Sequence, residues 1–149
     1  KFKNKDKLFF VDKYYKPDLP LNLTKYLLKF ANSSIDVSDG LIDDLSKMIN
    51  TQNLSFHLFE KKIPISNKLS NLIKNQRLNK INLVSNGDDY QVLFTANVNK
   101  TRIIQNASKT TGIKITKIGK IVSGKDRSFI FDEKGKQIQA KSKGYIHQF

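Results

Sequence analysis

Two hydrophobic periods alternate along the chain, and the switches between them mark its elements. "KLFFVDKYYKP" (7–17) is apolar and aromatic, then meets Pro17 and Pro20, which predicts a short helix running into a linker. "LNLTKYLLKFAN" (21–32) sets Leu23, Tyr26, Leu27 and Phe30 on one helical stripe, the pattern of a core-facing helix. "SSIDV" (33–37) alternates and predicts a short strand. "GLIDDLSKMIN" (40–50) returns to helical spacing, with Leu41, Leu45, Met48 and Ile49 on one face. "LSFHLFE" (54–60) reads as a strand. Ser66 is placed to cap a helix over 67–76 that turns Leu69, Leu72 and Ile73 inward. "YQVLFTANV" (90–98) is strand-like, and Asn99 or Thr101 can start a helix through 110 that Gly112 ends. "IKITKIGKIV" (113–122) alternates as a strand, followed by "RSFIFD" and "QIQA" across two turns, a predicted meander. The sum is a mixed α/β chain without repeats: strands separated by helices suggest βαβ connections, and the late strands an antiparallel edge.

Composition narrows the class. A length of 149 residues suits one domain, and 38% hydrophobic residues can fill a core, so disorder is expected only near "KFKNKDK" at the start. There are no cysteines, which excludes disulfides and thiolate metal sites and fits a reducing compartment. No apolar run approaches the roughly 20 residues of a membrane span, and no signal peptide is evident. The chain opens on Lys1 rather than Met, as a fragment or a processed product does. The formal net charge is +14, which raises nucleic acid as a partner. Against it, only Arg77, Arg102 and Arg127 are arginine, the lysines are spread along the whole chain, and no zinc-finger, RNP or GXXG motif in context occurs. A basic field of this kind still attracts phosphorylated small molecules. Neither common glycine-rich phosphate cradle, the P-loop nor G-x-G-x-x-G, is present. His57 has no second metal-binding residue spaced with it and reads as a surface or hydrogen-bonded histidine.

Within this basic chain the acids are concentrated. Asp36, Asp39, Asp43 and Asp44 fall in nine positions, and Asp88 and Asp89 are adjacent, so two stretches hold six of the 13 acidic residues. Crowded carboxylates need solvent, cationic neighbours or a metal. In a strand, Asp36 and Ser38 project to one face and Ile35 and Val37 to the other; Asp39-Gly40 then turns into the helix. Strand ends at such turns form ligand crevices in α/β sheets. Two carboxylates across a tight turn can converge on a hard cation such as Mg²⁺, and a serine hydroxyl between them can donate to a phosphate oxygen. Structural roles compete: Asp39 can cap the helix, and Asp43 and Asp44 sit in its first turn, where negative charge complements the dipole. A mid-strand carboxylate at Asp36 adds nothing to a core, which favours function there. "NGDDY" is equally a turn before a strand, and Tyr145 can tuck into the core or stack on a flat ring.

Taken together, "SIDVSDGLIDDL", then "GDDYQVLF" about fifty positions on, "ITKIGKIVSG" and the terminal "GYIHQF" resemble the C-terminal half of the thiamine-monophosphate kinase family. "YYKPDLPLNL" resembles the family too, so the likeness covers nearly the whole chain. The resemblance implies a mixed β-sheet covered by helices, partly ferredoxin-like, as in the C-terminal domain of aminoimidazole ribonucleotide synthetase-related proteins. It implies residues 1–20 as an N-terminal helix and linker and 21–149 as that domain. It also implies transfer of the terminal phosphoryl group of ATP to thiamine monophosphate, giving thiamine diphosphate in the cytoplasm with Mg²⁺. By the same analogy Asp36 and Asp39 ligate Mg²⁺, Ser38 touches ATP, and Asp88 and Tyr145 contact the thiamine substrate. Asp88 stands where the family has a glutamate, Gln91 where it often has another acid, and Gln148 interrupts its terminal pattern. Family members carry an N-terminal ATP-binding domain that also builds a homodimer; it is not in this sequence, so the fragment alone is expected to be inactive. The alternatives are a superfamily relative acting on another phosphorylated substrate and a basic, non-enzymatic nucleic-acid-binding module.

Overall fold

The computed structural model describes residues 4–50 and 52–140. Helix α1 (Asn4–Tyr15) leads through the Pro17–Pro20 linker and a 3₁₀ turn at Leu21–Leu23 into α2 (Thr24–Phe30). The helical start reaches back into the segment expected to be disordered. Strand β1 (Ala31–Asp36) begins where α2 stops, so Ala31 and Asn32, expected in the helix, open the strand instead. Then come α3 (Leu41–Ile49), β2 (Leu54–Phe59), α4 (Asn67–Gln76), α5 (Lys80–Val84), β3 (Val92–Ala96), α6 (Thr101–Thr111), β4 (Gly119–Ser123), β5 (Phe129–Phe131) and β6 (Gln137–Ile138). The α4 boundary is set by Ser66, whose Oγ accepts the Leu69 N–H at 3.1 Å. Gly112, at φ 70°, ends α6.

Among the described residues the strands form two sheets. In one, β1 and β3 run antiparallel, with Ile35 opposite Leu93 and Asp36 opposite Val92. In the other the order is β4-β2-β5-β6: β4 lies antiparallel and β5 parallel to β2, and β6 closes the edge antiparallel to β5. The expected meander is therefore corrected, because β2 separates β4 from β5. The expected strand over 113–122 is corrected as well: only Gly119–Ser123 is in a ladder. Ile113 and Ile115 alternate because they pack beneath α6, in a different environment from the strand that follows.

Two cores result. The larger joins Val37 and α3 (Leu41, Ile42, Leu45, Ile49) to Phe56 and Leu58 of β2, Ile130 of β5, and Ile63, Ile81 and Val84. The smaller joins Leu23 and Phe30 to Ala107 of α6, with Tyr26 and Leu27 from the stripe on α2 half-buried against it. Strand β3 serves both: Leu93 packs on the first, and Phe94 meets Phe30 at a ring separation of 5.1 Å in the second. Helix α5 escaped the periodicity because it is only five residues long, yet its Ile81 is wholly buried. The β1–β3 pair fixes the end of β1 beside the start of β3, which decides where the two acidic stretches meet.

Candidate metal and substrate site

β1 ends at Asp36, but its pairing with the segment before β3 continues through backbone bonds. The Val37 N–H donates to the Gln91 carbonyl (2.9 Å), the Tyr90 N–H to the Val37 carbonyl (2.8 Å) and the Asp88 N–H to the Ser38 carbonyl (2.8 Å). The loop "SDG" and the loop "NGDDY" are thus laid against each other although about fifty residues separate them. Contact is too close for side chains at two points. A Cβ at Gly87 would lie 2.3 Å from the Ser38 carbonyl oxygen, and one at Gly40 would lie 2.4 Å from that of Ser85. Both glycines also have positive φ, 85° and 124°. Asp88 (φ 60°) and Tyr90 (φ 50°) adopt the left-handed region as well, uncommon for a bulky residue and a mark of a segment held by its surroundings.

Asp44 organises the first loop. Its side chain is almost fully buried, and its Oδ2 accepts the backbone N–H groups of Ser38, Asp39 and Gly40 at 3.0, 3.0 and 3.1 Å. Three donors to one carboxylate at a helix N-terminus offset the cost of burying its charge. The dipole argument from sequence placed a negative charge here but not this wiring. The readable signal was an acid four residues beyond a Gly N-cap, free to fold back over the turn.

Lys47 sits one turn further along α3. Its ammonium pairs with Asp39 in a very short contact, with Asp43 at 2.7 Å and with Asp44 Oδ1 at 3.4 Å. These carboxylates, through their hydrogen bonds and charge, hold the Lys47 amine well above its ordinary value. One carboxylate oxygen each from Asp39, Asp43 and Asp44 lies within 4.8 Å of the others. Such an all-oxygen set fits a hard divalent ion of the Mg²⁺ kind.

Of the residues singled out in the sequence, the structure brings Asp39 into this triad but leaves Asp36 out of it. Asp36 is exposed at the end of β1, and its charge is felt instead by Tyr90. Ser38 is half-buried at the junction of the two loops. Asp88 is exposed, and its Oδ1 accepts the Tyr90 hydroxyl at 3.2 Å. That bond, and then the Asp88 charge, raise the Tyr90 phenol. Asp89 keeps an open surface, yet protein packed around its carboxyl, and then the neighbouring Asp88 charge, push it upward. Gln91 Nε2 donates to the Asp18 carbonyl at 3.1 Å, tying the linker after α1 to this site. Tyr145 lies outside the described residues. His57 is half-buried between the rings of Phe129 and Phe131, at 5.7 and 5.4 Å. Among the described residues no helix is long and apolar enough to cross a membrane.

No protein-family model matches the chain. Curated relatives do. Thiamine-monophosphate kinase of Buchnera aphidicola subsp. Acyrthosiphon pisum (strain APS) is 34% identical over 143 residues, covering 93% of this chain and 42% of that protein. Its namesake in Escherichia coli (strain K12) is 27% identical, covering 96% and 43%. Among solved structures, thiamine monophosphate kinase of Aquifex aeolicus superposes with a TM-score of 0.67 at 23% identity, over 93% of this chain and 43% of that one. The structure of AaThiL complexed with AMPPCP and TMP superposes at 0.73 and 24% identity, over 99% and 43%. These superpositions agree with the mixed α/β fold. The chain spans less than half the length of the relatives it matches.

Proposed function

We propose, from the premise that this chain belongs to the thiamine-monophosphate kinase family, that it supplies the acidic half of a Mg²⁺-dependent phosphotransferase. In that reaction a phosphate oxygen of thiamine monophosphate attacks the terminal phosphorus of ATP. A new P–O–P bond forms, the bond to ADP breaks, and thiamine diphosphate and ADP leave. A structural neighbour that holds AMPPCP and TMP together supports this pairing of ligands.

The observation that carries the reading is the mutual locking of the two acidic loops through Ser38, Gly40, Ser85, Gly87 and Asp88. It gathers carboxylates from two distant segments at one end of the β1–β3 pair, where Lys47 is paired with three of them and the crowding favours a further cation. In our reading Asp36 and Asp39 hold Mg²⁺, with Asp43 and Asp44 beside them, and Ser38 contacts the nucleotide. The bound metal would neutralise the repulsion between the two anionic phosphates as they approach. By the family analogy Asp88 and Tyr145 are assigned contacts with the cationic thiamine. The domain formed by residues 21–149 works with an N-terminal ATP-binding half, in a homodimer and in the cytoplasm, with residues 1–20 as its entry helix and linker.

The test is thiamine diphosphate formation from ATP and thiamine monophosphate, by the complete polypeptide and by residues 1–149 alone. Turnover is expected from the first and not from the second. Asp36→Asn and Asp39→Asn should each lower the rate by about ten- to a hundredfold, as loss of metal-site groups does. Wild-type rates in both variants would remove the assigned roles.

A further inference from the structure

We propose that Lys47 is a resident substitute for the divalent cation: its ammonium holds Asp39, Asp43 and Asp44 together until a metal displaces it. The inference rests on the metal reading above and specifies how the unliganded site tolerates its own charge.

Three carboxylates whose oxygens come within 4.8 Å of one another repel strongly unless a cation lies among them. Lys47 has three N–H donors, and among the described residues its ion-pair partners are these three carboxylates. Side chains on a helix lean toward its N-terminus, so a lysine three and four residues after Asp44 and Asp43 covers the turn they occupy. Asp39 then comes within reach from the preceding loop. The oxygens engaged are Oδ2 of Asp39, Oδ2 of Asp43 and Oδ1 of Asp44, while Asp44 Oδ2 is already committed to the backbone. A metal that takes these three oxygens competes with the Lys47 ammonium for them. The lysine side chain is 45% exposed, so its flexible stem can swing into solvent without repacking the core. The arrangement keeps the loop ordered for metal arrival and lowers metal affinity by the cost of displacing the ammonium.

The experiment titrates magnesium chloride, against sodium chloride at matched ionic strength, into the full chain and into Lys47→Met. Melting and calorimetry are the readouts, with no substrate present. Lys47→Met is expected to melt several degrees lower in chelator, to be restored by Mg²⁺, and to bind Mg²⁺ roughly tenfold more tightly than wild type, since one competing charge is gone. Equal Mg²⁺ midpoints overturn the competition while leaving the metal reading intact. Absence of any Mg²⁺-specific response in both chains overturns the metal reading and the proposal with it. A second measurement needs no variant: the Lys47 Cε–Hε NMR resonances of the wild-type chain should shift on adding Mg²⁺ but not Na⁺. If they stay fixed while Mg²⁺ binds, Lys47 is not displaced and the proposal fails.

Discussion

The two acidic stretches lie against each other and handle crowding in opposite ways. Between Asp36 and Asp44 the carboxylates are gathered and compensated: Asp44 receives three backbone N–H groups, and Lys47 bridges Asp39, Asp43 and Asp44. Asp88 and Tyr90 adopt the left-handed region, Asp88 is exposed, and its charge disfavours ionisation of Tyr90 and, second to the packing around the Asp89 carboxyl, of Asp89. The first stretch spends much of its charge on holding the fold; in the second, Asp88 stays at the surface with the Tyr90 hydroxyl as its partner. Glycine makes the contrast possible, since each stretch approaches the backbone of the other segment at a point where no side chain fits.

The largest break in this comparison comes from Asp44. Replacing it by Ala strands the N–H groups of Ser38, Asp39 and Gly40 together, at a site only 1% exposed. Each stranded buried donor costs about 1–3 kcal/mol, so a loss of about 3–5 kcal/mol is expected from urea unfolding of Asp44→Ala. That is a large share of the roughly 5–15 kcal/mol of an ordinary domain. The corresponding change in the outward stretch, Asp88→Ala, should cost well under 1 kcal/mol, because its carboxylate is exposed. Equal losses at the two positions would erase the distinction between wired and presented carboxylates.

Next in size is the interlock itself. Gly87→Ala pushes a methyl group to 2.3 Å from the Ser38 carbonyl at φ 85°, and backbone must move to admit it. We expect about 2–4 kcal/mol of destabilisation, from overpacking plus left-handed strain. Gly112→Ala isolates the strain alone, since φ is 70° there and nothing lies within 4 Å of the added methyl. It should cost about 1 kcal/mol. A Gly87→Ala chain as stable as Gly112→Ala, by thermal melting of the two side by side, would mean that the loops are not in contact.

Much of this was legible before any coordinates. The stripe on α2, the face of α3, the Ser66 cap and the Gly112 stop all follow from local period and capping, which act within a few residues. Alternation misled at 113–118 because it reports one covered and one exposed face and not a ladder: Ile113 and Ile115 pack beneath α6 without strand pairing. The order β4-β2-β5 was hidden for a related reason, since pairing partners are set by long-range packing. At the site, the acidic clusters and their convergence on a strand end could be read from residue type. Which acids share one point could not: Asp43 and Asp44 join Asp39 because a helical turn and a reversed loop bring them there, while Asp36, at the end of β1, is not one of that group of three.

The smallest expected effect is electrostatic and tests the outward stretch alone. Asp88→Asn removes the acceptor charge from the Tyr90 hydroxyl and the like charge beside Asp89. The Tyr90 ring resonances should then titrate closer to the ordinary 10.0, because the bond to Asp88 is the main reason the phenol is raised. The Asp89 carboxyl should fall only part of the way to 3.8, because burial is its larger cause and survives the substitution. In both groups the folded chain keeps its proton to higher pH than the unfolded chain does. Each therefore makes stability decline as pH rises from the ordinary value through the folded one, and Asp88→Asn should flatten that decline in both windows. A Tyr90 titration unmoved by Asp88→Asn would mean that the two side chains do not meet in solution. The outward stretch would then be an ordinary turn, with no charge arranged in advance for a ligand.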